Sequence, residues 1–354
     1  MKHFAILTLA LLLFISTCSK KDVQALRFTK YDNIFDFSKP IAHGENKVIQ
    51  VLVGRENLRR NSEMILASFE SEIKLSHPEK VFEVRFCCLS ALETVSKYRN
   101  IVICGDLESG DSVSVWLKQS LDKDLLDKVK TSGAELFSLQ NYWVRDQSVL
   151  FFVAQNPARL SELLTLQAKN AFNILVARYR DRLGYLTYQL KLIDQSVLKD
   201  LPFSLKIPEN FQVFTQDKTG RYISLISRSR VPDREKPDKY ISVYYEDMPE
   251  NRIEERWLIE KRGFIGEKYF DGDILIDDEA VFDETTLGKY KVLKMTARWE
   301  NRKHLIGGAL ISYALWNEQH KRAYLVDTSV FFPAGDKLPV LLELGVLAET
   351  FELK

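Results

Sequence analysis

Hydrophobic and polar positions follow two different periods along the first half of the chain. A fully apolar run at 48–53 ends at Gly54, as expected for a buried strand, and apolar positions then recur at helical spacing. Asn156 and Pro157 open a long segment with apolar residues every three or four positions. The pattern predicts strands at 48–53, 81–89, 101–104, 135–144 and 148–155, and helices at 56–74, 90–98, 114–130 and 157–192.

The second half has many short strand patterns, and helical spacing is limited to 250–262 and the terminal 336–351. We therefore predict an α+β fold. An N-terminal α/β sandwich-like domain at 47–200 would end in a long helix. A C-terminal α+β domain at 201–354 would consist mainly of an antiparallel sheet closed by the terminal helix. This second domain is similar to PsbP-like domains, by analogy of fold only. Strands are expected at 203–207, 211–215, 221–229, 239–246, 274–276, 281–285, 290–299, 306–316 and 321–332.

The first residues are typical of a bacterial export signal. A lysine and a histidine precede an apolar run from Phe4 to Ile15, which is too short to span a bilayer. Small residues then lead to Cys18, the arrangement of a lipobox, so we predict a signal peptide at 1–17 and a lipidated cysteine. Thr17 replaces the Gly, Ala or Ser usual at that place, which leaves ordinary cleavage and a soluble secreted protein as the alternative.

Acyl chains such as palmitate on Cys18 would hold the protein on a lipid bilayer at about 0.8 kcal/mol per buried methylene. Residues 18–46 would be the lipidated cysteine and a tether. Ser19 rather than an aspartate follows the cysteine, which favours the outer membrane by the enteric sorting rule. We therefore expect a lipid-anchored protein of the bacterial cell envelope, with an unknown envelope protein or polymer as its partner.

Composition narrows the functional classes. The 354 residues suffice for two domains, and a formal net charge of +1 does not provide the positive field that nucleic-acid binding requires. Besides Cys18, the chain has Cys87, Cys88 and Cys104, which show no metal-ligand spacing. We interpret them as buried thiols, with a disulfide from Cys104 to one of the other two as the alternative.

Common catalytic and cofactor motifs are missing from the sequence, including GxSxG, HExxH, the Walker loop and the dinucleotide fingerprint. His304 and His320 are isolated and are expected at solvated strand ends rather than in catalysis. We therefore expect no cofactor and favour a non-enzymatic role. A hydrolase without a recognised motif remains an alternative.

Five carboxylates within nine residues form a candidate calcium site, since calcium takes six to eight oxygen ligands. Their spacing differs from the EF-hand pattern, and apolar residues at 274–276 interrupt them as a strand would. A solvated hairpin is the first interpretation and calcium binding the alternative. The candidate ligands are Asp271, Asp273, Asp277, Asp278 and Glu279.

Aromatic residues suggest two further features. Tyr142 and Trp143 are candidates for capping the first domain. Tyr244, Tyr245 and Trp257 are candidates for an aromatic cleft between the two halves, the usual place for a small ligand in a two-domain protein.

Four stretches of the sequence carry a family resemblance. The first is 82–86 with 99–103, and the second, 141–147, contains an aromatic segment before a glutamine. The third runs from a tryptophan through two glycines to Tyr313, and the fourth, 330–343, holds a proline-glycine turn. Together they resemble the DUF4837 family of uncharacterised Bacteroidetes-type lipoproteins. The motif residues are Trp143, Gln147, Trp299, Gly307, Gly308, Pro333, Gly335 and Lys337.

The resemblance implies a lipidated envelope protein in two parts, with no known activity and with structural roles for the motif residues. Ala309 and Leu310 replace the family's usual proline and phenylalanine, as in a distant member. Gly307 and Gly308 are expected to allow a bulge or sharp bend, or else the close approach of a ligand. The leading hypothesis is a non-catalytic binding or assembly protein. The alternative is a protein that binds a small ligand in an interdomain cleft or calcium at 271–279.

Overall fold

The computed structural model describes residues 27–75, 77–228 and 236–354. The predicted signal peptide and Cys18 lie outside these residues. The α-helices are α1 Arg55–Phe69, α2 Leu92–Val95, α3 Ser112–Ser120, α4 Lys123–Ser132, α5 Pro157–Thr187, α6 Glu255–Tyr269 and α7 Leu338–Ala348. The strands are β1 Val48–Val53, β2 Glu72–Lys74, β3 Pro78–Lys80, β4 Glu83–Cys87, β5 Asn100–Asp106, β6 Ala134–Gln140, β7 Ser148–Ala154, β8 Phe203–Ser204, β9 Gln212–Asp217, β10 Tyr222–Ser227, β11 Asp238–Asp247, β12 Ile274–Leu287, β13 Tyr290–Asn301, β14 Ile306–Asn317, β15 Arg322–Phe331 and β16 Glu352–Leu353.

The first half contains a five-stranded sheet in the order β4-β1-β5-β7-β6. Its strands run parallel except for β6, which pairs antiparallel with β7. Residues of α1 and α5 pack on one face and residues of α3 and α4 on the other, so β1, β5 and β7 are buried throughout. Burial on both faces explains why these strands are continuous apolar runs. The predicted α/β sandwich is confirmed.

The second half contains a seven-stranded antiparallel sheet in the order β12-β13-β14-β15-β11-β10-β9. Helix α6 packs on one face, which we call the outer face, and α7 packs on the other, the inner face. Side chains alternate between the faces, so Trp299 lies on the outer face and Tyr313 on the inner one. The predicted antiparallel sheet with a terminal helix is confirmed.

The two halves share contacts along α5 and α7, which contribute to one hydrophobic cluster together with the inner face. Glu79, on the β2–β3 hairpin, is 5% exposed and accepts the backbone N–H groups of Lys337 at 2.9 Å and Leu338 at 2.7 Å. Its carboxylate therefore satisfies the free amides at the start of α7. The domain boundary between residues 200 and 201 stays a prediction.

The predicted tether packs against the first half in its described part. Tyr31 is buried against Gly184 of α5, where a Cβ would lie 2.7 Å from the tyrosine ring. Arg27 donates to the carbonyl of Tyr188 at 2.9 Å and pairs with Asp32 at 2.8 Å. From Arg27 onward, these contacts fix the segment along α5.

Several predicted elements have different bounds. The helix predicted at 114–130 is two helices, because Leu121 and Asp122 take extended conformations between α3 and α4. The helix predicted at 56–74 ends at Phe69, and its last residues form β2 instead. The strands predicted at 274–276 and 281–285 are both parts of β12. This strand pairs with β13 along its length, with a register shift between Ile276 and Val281.

The cysteines of the described residues are free thiols. Strand β1 lies between β4, which holds Cys87, and β5, which holds Cys104, so the disulfide alternative is not formed. Burial is complete at Cys104, where it raises the pKa of the thiol, but Cys88 is exposed. The interpretation as buried thiols therefore applies to Cys104 and not to Cys88.

Candidate ligand-binding site

A pocket of about 330 Å³ opens on the outer face of the seven-stranded sheet, beside the end of α6. It brings together Asp271 and Asp273, two of the calcium candidates, with Trp299 and His304. We call it the aromatic pocket. Its aromatic lining is Phe214, Tyr240, Tyr269, Phe270, Trp299 and Phe331, and its other lining residues are Arg228, Asp238, Asp271, Asp273, Asn301, His304, Ile306 and Ser329.

Asn301, at the end of β13, holds one wall of the aromatic pocket together. It is 2% exposed, and its amide donates to the carboxylate of Asp273 at 2.9 Å and to the carbonyl of Asp271 at 3.1 Å. Its side-chain oxygen accepts the backbone N–H groups of Lys303 and His304. A single buried amide thus connects the β13–β14 hairpin to the turn after α6.

The two aspartates of that turn have opposite electrostatics. Asp271 is exposed, and hydrogen bonds from Lys303 at 2.8 Å and His304 at 2.6 Å lower the pKa of its carboxyl. Asp273 is 7% exposed, and burial raises the pKa of its carboxyl, although the bond from Asn301 opposes the shift. The pocket therefore has one ionised carboxylate at its rim and one buried carboxyl in its wall.

The turn is shaped by the way α6 ends. Asp271 and Gly272 have positive φ angles of 54° and 88°, and the N–H groups of Gly272 and Asp273 both donate to the carbonyl of Gly266 at 3.2 Å. A Cβ at Gly266 would lie 2.2 Å from the carbonyl oxygen of Asp273. The helix predicted at 250–262 is found at Glu255–Tyr269 instead. Gly266 lies within this helix, and its lack of a side chain lets the following turn fold back onto the helix.

Aromatic rings form the apolar part of the pocket. Phe214 and Phe270 stack with centroids 5.8 Å apart, and Tyr240 meets Phe270 edge-on at 5.4 Å. Phe214 is 43% exposed, whereas Trp299 is 5% exposed, so Phe214 and its neighbours present the accessible rings. The indole Nε1 of Trp299 is buried without a hydrogen-bond partner among the described residues.

Arg228, directly after β10, adds a further polar group to the lining of the pocket. Its guanidinium donates to the carboxylate of Asp238 at 2.8 Å and to the hydroxyl of Tyr240 at 3.2 Å. Arg228 is thus paired with Asp238, and Asp271 is hydrogen-bonded to Lys303 and His304. An arrangement of stacked rings between paired polar groups suits a ligand with hydroxyls and little net charge.

The five calcium candidates do not meet at one point. Asp271 and Asp273 lie in the turn with the partners described above, whereas Glu279 pairs with Arg298 at 2.6 Å in β12. Asp277 and Asp278 are exposed on the same strand. Among residues 27–75, 77–228 and 236–354, ligand atoms close enough for one metal ion occur at a different place, in His77, Glu79 and Asp336.

Trp299 and the paired glycines form a second set of contacts beside the pocket. A Cβ at Gly308 would lie 2.1 Å from the carbonyl of Val330 and 2.7 Å from the Trp299 ring. The register of β13 with β14 is unbroken through Gly307 and Gly308, so the expected bulge is absent from this pairing. Close packing of Trp299 requires the glycine instead. A shallow groove next to them is lined by Trp299, Gly307, Gly308, Pro333 and Lys337, among others.

Other motif residues lie away from the pocket. Gln147 is fully buried, donates to the carbonyls of Ser96 and Tyr98, and accepts the N–H of Trp143 at 2.9 Å. Trp143 packs on the first sheet, next to Tyr142. In the turn before α7, a Cβ at Gly335 would lie 2.4 Å from the Phe332 ring. These contacts hold loops in place.

The predicted aromatic cleft between the halves is wrong. Tyr244 and Trp257 lie on the outer face, where both donate to the carboxylate of Glu246. Tyr245 lies on the inner face against Phe203, because neighbouring strand residues point to opposite sides. The adjacent tyrosines therefore cannot line the same cleft.

The two histidines differ in their surroundings. His304 contacts Asp271 in the aromatic pocket, and His320 is exposed in the turn between β14 and β15. Neither arrangement is the nucleophile–histidine contact that the hydrolase alternative needs.

Most residues of the aromatic pocket were not predicted from the sequence. Asn301 could have been predicted to lie near Trp299, because it stands two residues later in the same strand and so faces the same side of the sheet. Phe214, Tyr240 and Phe270 had none, because they come from distant segments that only strand pairing brings together.

Residues 191–350 match the sequence model of a family described as a domain of unknown function, DUF4837. This part of the chain is similar to a DUF4837 domain. The matched segment contains the aromatic pocket and the third and fourth of the stretches that resemble the family, whereas the stretches at 82–103 and 141–147 lie outside it. No curated protein matches the chain by sequence.

Two solved structures are weakly similar to part of the chain. LpqN, described as involved in cell envelope biogenesis of Mycobacterium tuberculosis, is 11% identical with a TM-score of 0.26, over 43% of this chain and 83% of its own. A point mutant of the protein Mog1 is 9% identical with a TM-score of 0.29, over 43% and 90%. TM-scores this low support no statement about function. In the part of the chain that is described, no helix combines the length and apolar character needed to cross a membrane.

Proposed function

We propose that this protein is a non-catalytic component of the cell envelope that binds a surface polymer. It would be held on the outer membrane by acylated Cys18 and would bind one neutral, ring-shaped unit of the polymer in the aromatic pocket. A sugar ring is the proposed unit. The anchor is supported by the apolar run at 4–15 and the lipobox that follows it.

The observation that carries the binding proposal is the combination of accessible rings and paired polar groups in one small pocket. A volume of about 330 Å³ is near the lower end for small-molecule sites, which suits a single ring. Phe214 and Phe270 offer apolar faces, while Arg228 and Asp271 add hydrogen-bonding groups to the lining. Because these charges are already paired, the pocket does not require a charged ligand to balance them.

Titration of the full chain carrying Cys18→Ser with methyl pyranosides tests this proposal. We expect saturable binding by ligand-observed NMR, and we expect Phe214→Ala to weaken it about tenfold because the exposed stacking face is lost. Phe264→Ala is the matched control, since Phe264 is also 43% exposed but lies outside the pocket. The proposal fails if no pyranoside binds, if both variants weaken binding equally, or if tetramethylammonium binds more tightly than every pyranoside.

A separate experiment tests the anchor. Cys18→Ser should abolish acyl-chain labelling and release the protein from the membrane fraction, because the lipid is attached through the thiol. Cys88→Ser is the control, since that thiol is exposed and is not part of the lipobox. Unchanged labelling of the Cys18→Ser protein would contradict the anchor.

A further inference from the structure

A second cavity, of about 340 Å³, lies between the two halves of the chain and is separate from the aromatic pocket. Its walls are α5, the β2–β3 hairpin, α7 and the inner face of the seven-stranded sheet. The aromatic pocket lies on the other side of that sheet. We call this space the inner cavity.

Most of the inner cavity is apolar. Aliphatic and aromatic side chains from both halves face it, among them Ile73, Val81, Phe172, Val176, Ile311 and Leu342. An apolar group placed there would be removed from water, which is favourable in proportion to the apolar surface buried. The cavity therefore favours a ligand with a substantial hydrocarbon part.

One wall of the inner cavity carries a hydroxyl and a guanidinium. Tyr313 is 7% exposed, and burial raises its pKa to about 12, so its hydroxyl stays protonated and can donate a hydrogen bond. Arg180 lies beside it: a Cβ at Gly345 would be 3.6 Å from both the Arg180 Nη2 and the Tyr313 hydroxyl. These two donors therefore lie together in the lining, which also includes the hydroxyls of Ser71, Thr285, Thr286 and Thr296.

Both charged residues in the lining of the inner cavity are cations, and each pairs with a carboxylate outside the lining: Arg180 with Glu349, and Lys294 with Asp283 at 2.8 Å. Among the described residues, the lining itself holds no carboxylate. Arg180 uses Nη2 to pair with Glu349 at 2.5 Å, yet its buried Nε has no hydrogen-bond acceptor in the described parts of the chain. A buried donor without an acceptor costs free energy that an anionic ligand would recover.

We propose that the inner cavity binds one long-chain monocarboxylate, a free fatty acid, independently of the polymer site. The hydrocarbon chain lies among the apolar residues, and the carboxylate accepts hydrogen bonds from the Tyr313 hydroxyl and the Arg180 guanidinium. A single chain is assigned because about 340 Å³ is near the lower end of ligand sites and leaves no room for a two-chain phospholipid.

Calorimetric titration of the full chain carrying Cys18→Ser with hexadecanoate, below its micelle concentration, tests the assignment. We expect one molecule to bind per chain, and hexadecanol to bind at least about tenfold more weakly because it lacks the anionic head. Tyr313→Phe keeps the ring and removes one donor, so it should weaken hexadecanoate binding about fivefold to tenfold. Tyr290→Phe is the matched control, because the Tyr290 hydroxyl bonds to Glu352 outside the cavity.

Three results would overturn the proposal. The first is no saturable binding of hexadecanoate by the folded protein, and the second is equal binding of hexadecanol and hexadecanoate. The third is tighter binding of a diacyl phospholipid, presented in short-chain form, than of hexadecanoate. Arg180→Lys is a second test, because it keeps the positive charge but loses the planar pair of guanidinium N–H donors. The affinity of this variant for hexadecanoate should fall, whereas its affinity for hexadecanol should stay the same.

Discussion

Replacing Asp327 by alanine should lower the free energy of unfolding by about 3–5 kcal/mol, the largest single effect we expect in this protein. Asp327 and Arg262 are each 1% exposed and lie 3.1 Å apart beneath α6. The Ser312 hydroxyl also donates to Asp327, at 2.5 Å. Removing the carboxylate would leave a buried guanidinium without a counter-charge and a buried hydroxyl without its acceptor.

Urea unfolding of the Cys18→Ser chain, with and without Asp327→Ala, would measure this effect. Glu260→Ala provides the control: Glu260 pairs with Arg256 at 2.8 Å on the exposed side of the same helix, and its loss should change stability by less than about 1 kcal/mol. The double variant Arg262→Met with Asp327→Leu should be more stable than Asp327→Ala alone, since it removes both charges. A loss within about 1 kcal/mol of the control would show that the pair is not desolvated.

The Arg262–Asp327 pair illustrates what the sequence could not reveal about the second half. Asp327 stands in the middle of a strand whose apolar pattern was predicted well, and it lies opposite Ser312 on one neighbouring strand and Ser242 on the other. Period-two alternation places all three on the outer face. It does not indicate that an arginine from a helix more than sixty residues earlier covers them.

Local signals were sufficient where an element is determined by its own residues. Asn156 caps α5 by accepting the backbone N–H of Arg159 at 3.0 Å, as its position before Pro157 predicted. Strands β1, β5 and β7 were found because burial on both faces makes them uniformly apolar. Elements whose bounds depend on tertiary contacts were predicted less well: α6 was placed several residues too early at both ends, and β12 was divided into two strands.

The aromatic pocket also depends on tertiary contacts that the sequence does not reveal. Its acidic turn was noticed in the sequence as a dense group of carboxylates, but the role of each carboxylate depends on a partner far away, such as Asn301 for Asp273 and His304 for Asp271. The aromatic members come from β9, β11, α6, β13 and β15. Pairing between strands decides which of them meet, and a single sequence does not contain that information in readable form.

Gly266→Ala and Gly263→Ala should have opposite effects on stability, although both add one methyl group to the same helix. A Cβ at Gly263 would meet nothing within 4 Å, so alanine there should stabilise α6 by about 0.5–1 kcal/mol through its better helix propensity. A Cβ at Gly266 would lie 2.2 Å from the carbonyl of Asp273, which is backbone and cannot rotate aside. That clash should cost about 1–3 kcal/mol and displace the turn.

Thermal unfolding of the two variants, made in the same Cys18→Ser chain, gives the comparison directly, because the propensity gain is common to both and the difference isolates the clash. The displaced turn carries Asp271 and Asp273, so Gly266→Ala should also weaken methyl pyranoside binding, whereas Gly263→Ala should leave it as it is. Equal stabilisation by the two alanines would mean that the turn does not pack against Gly266. The wall of the aromatic pocket would then have to be held by Asn301 alone.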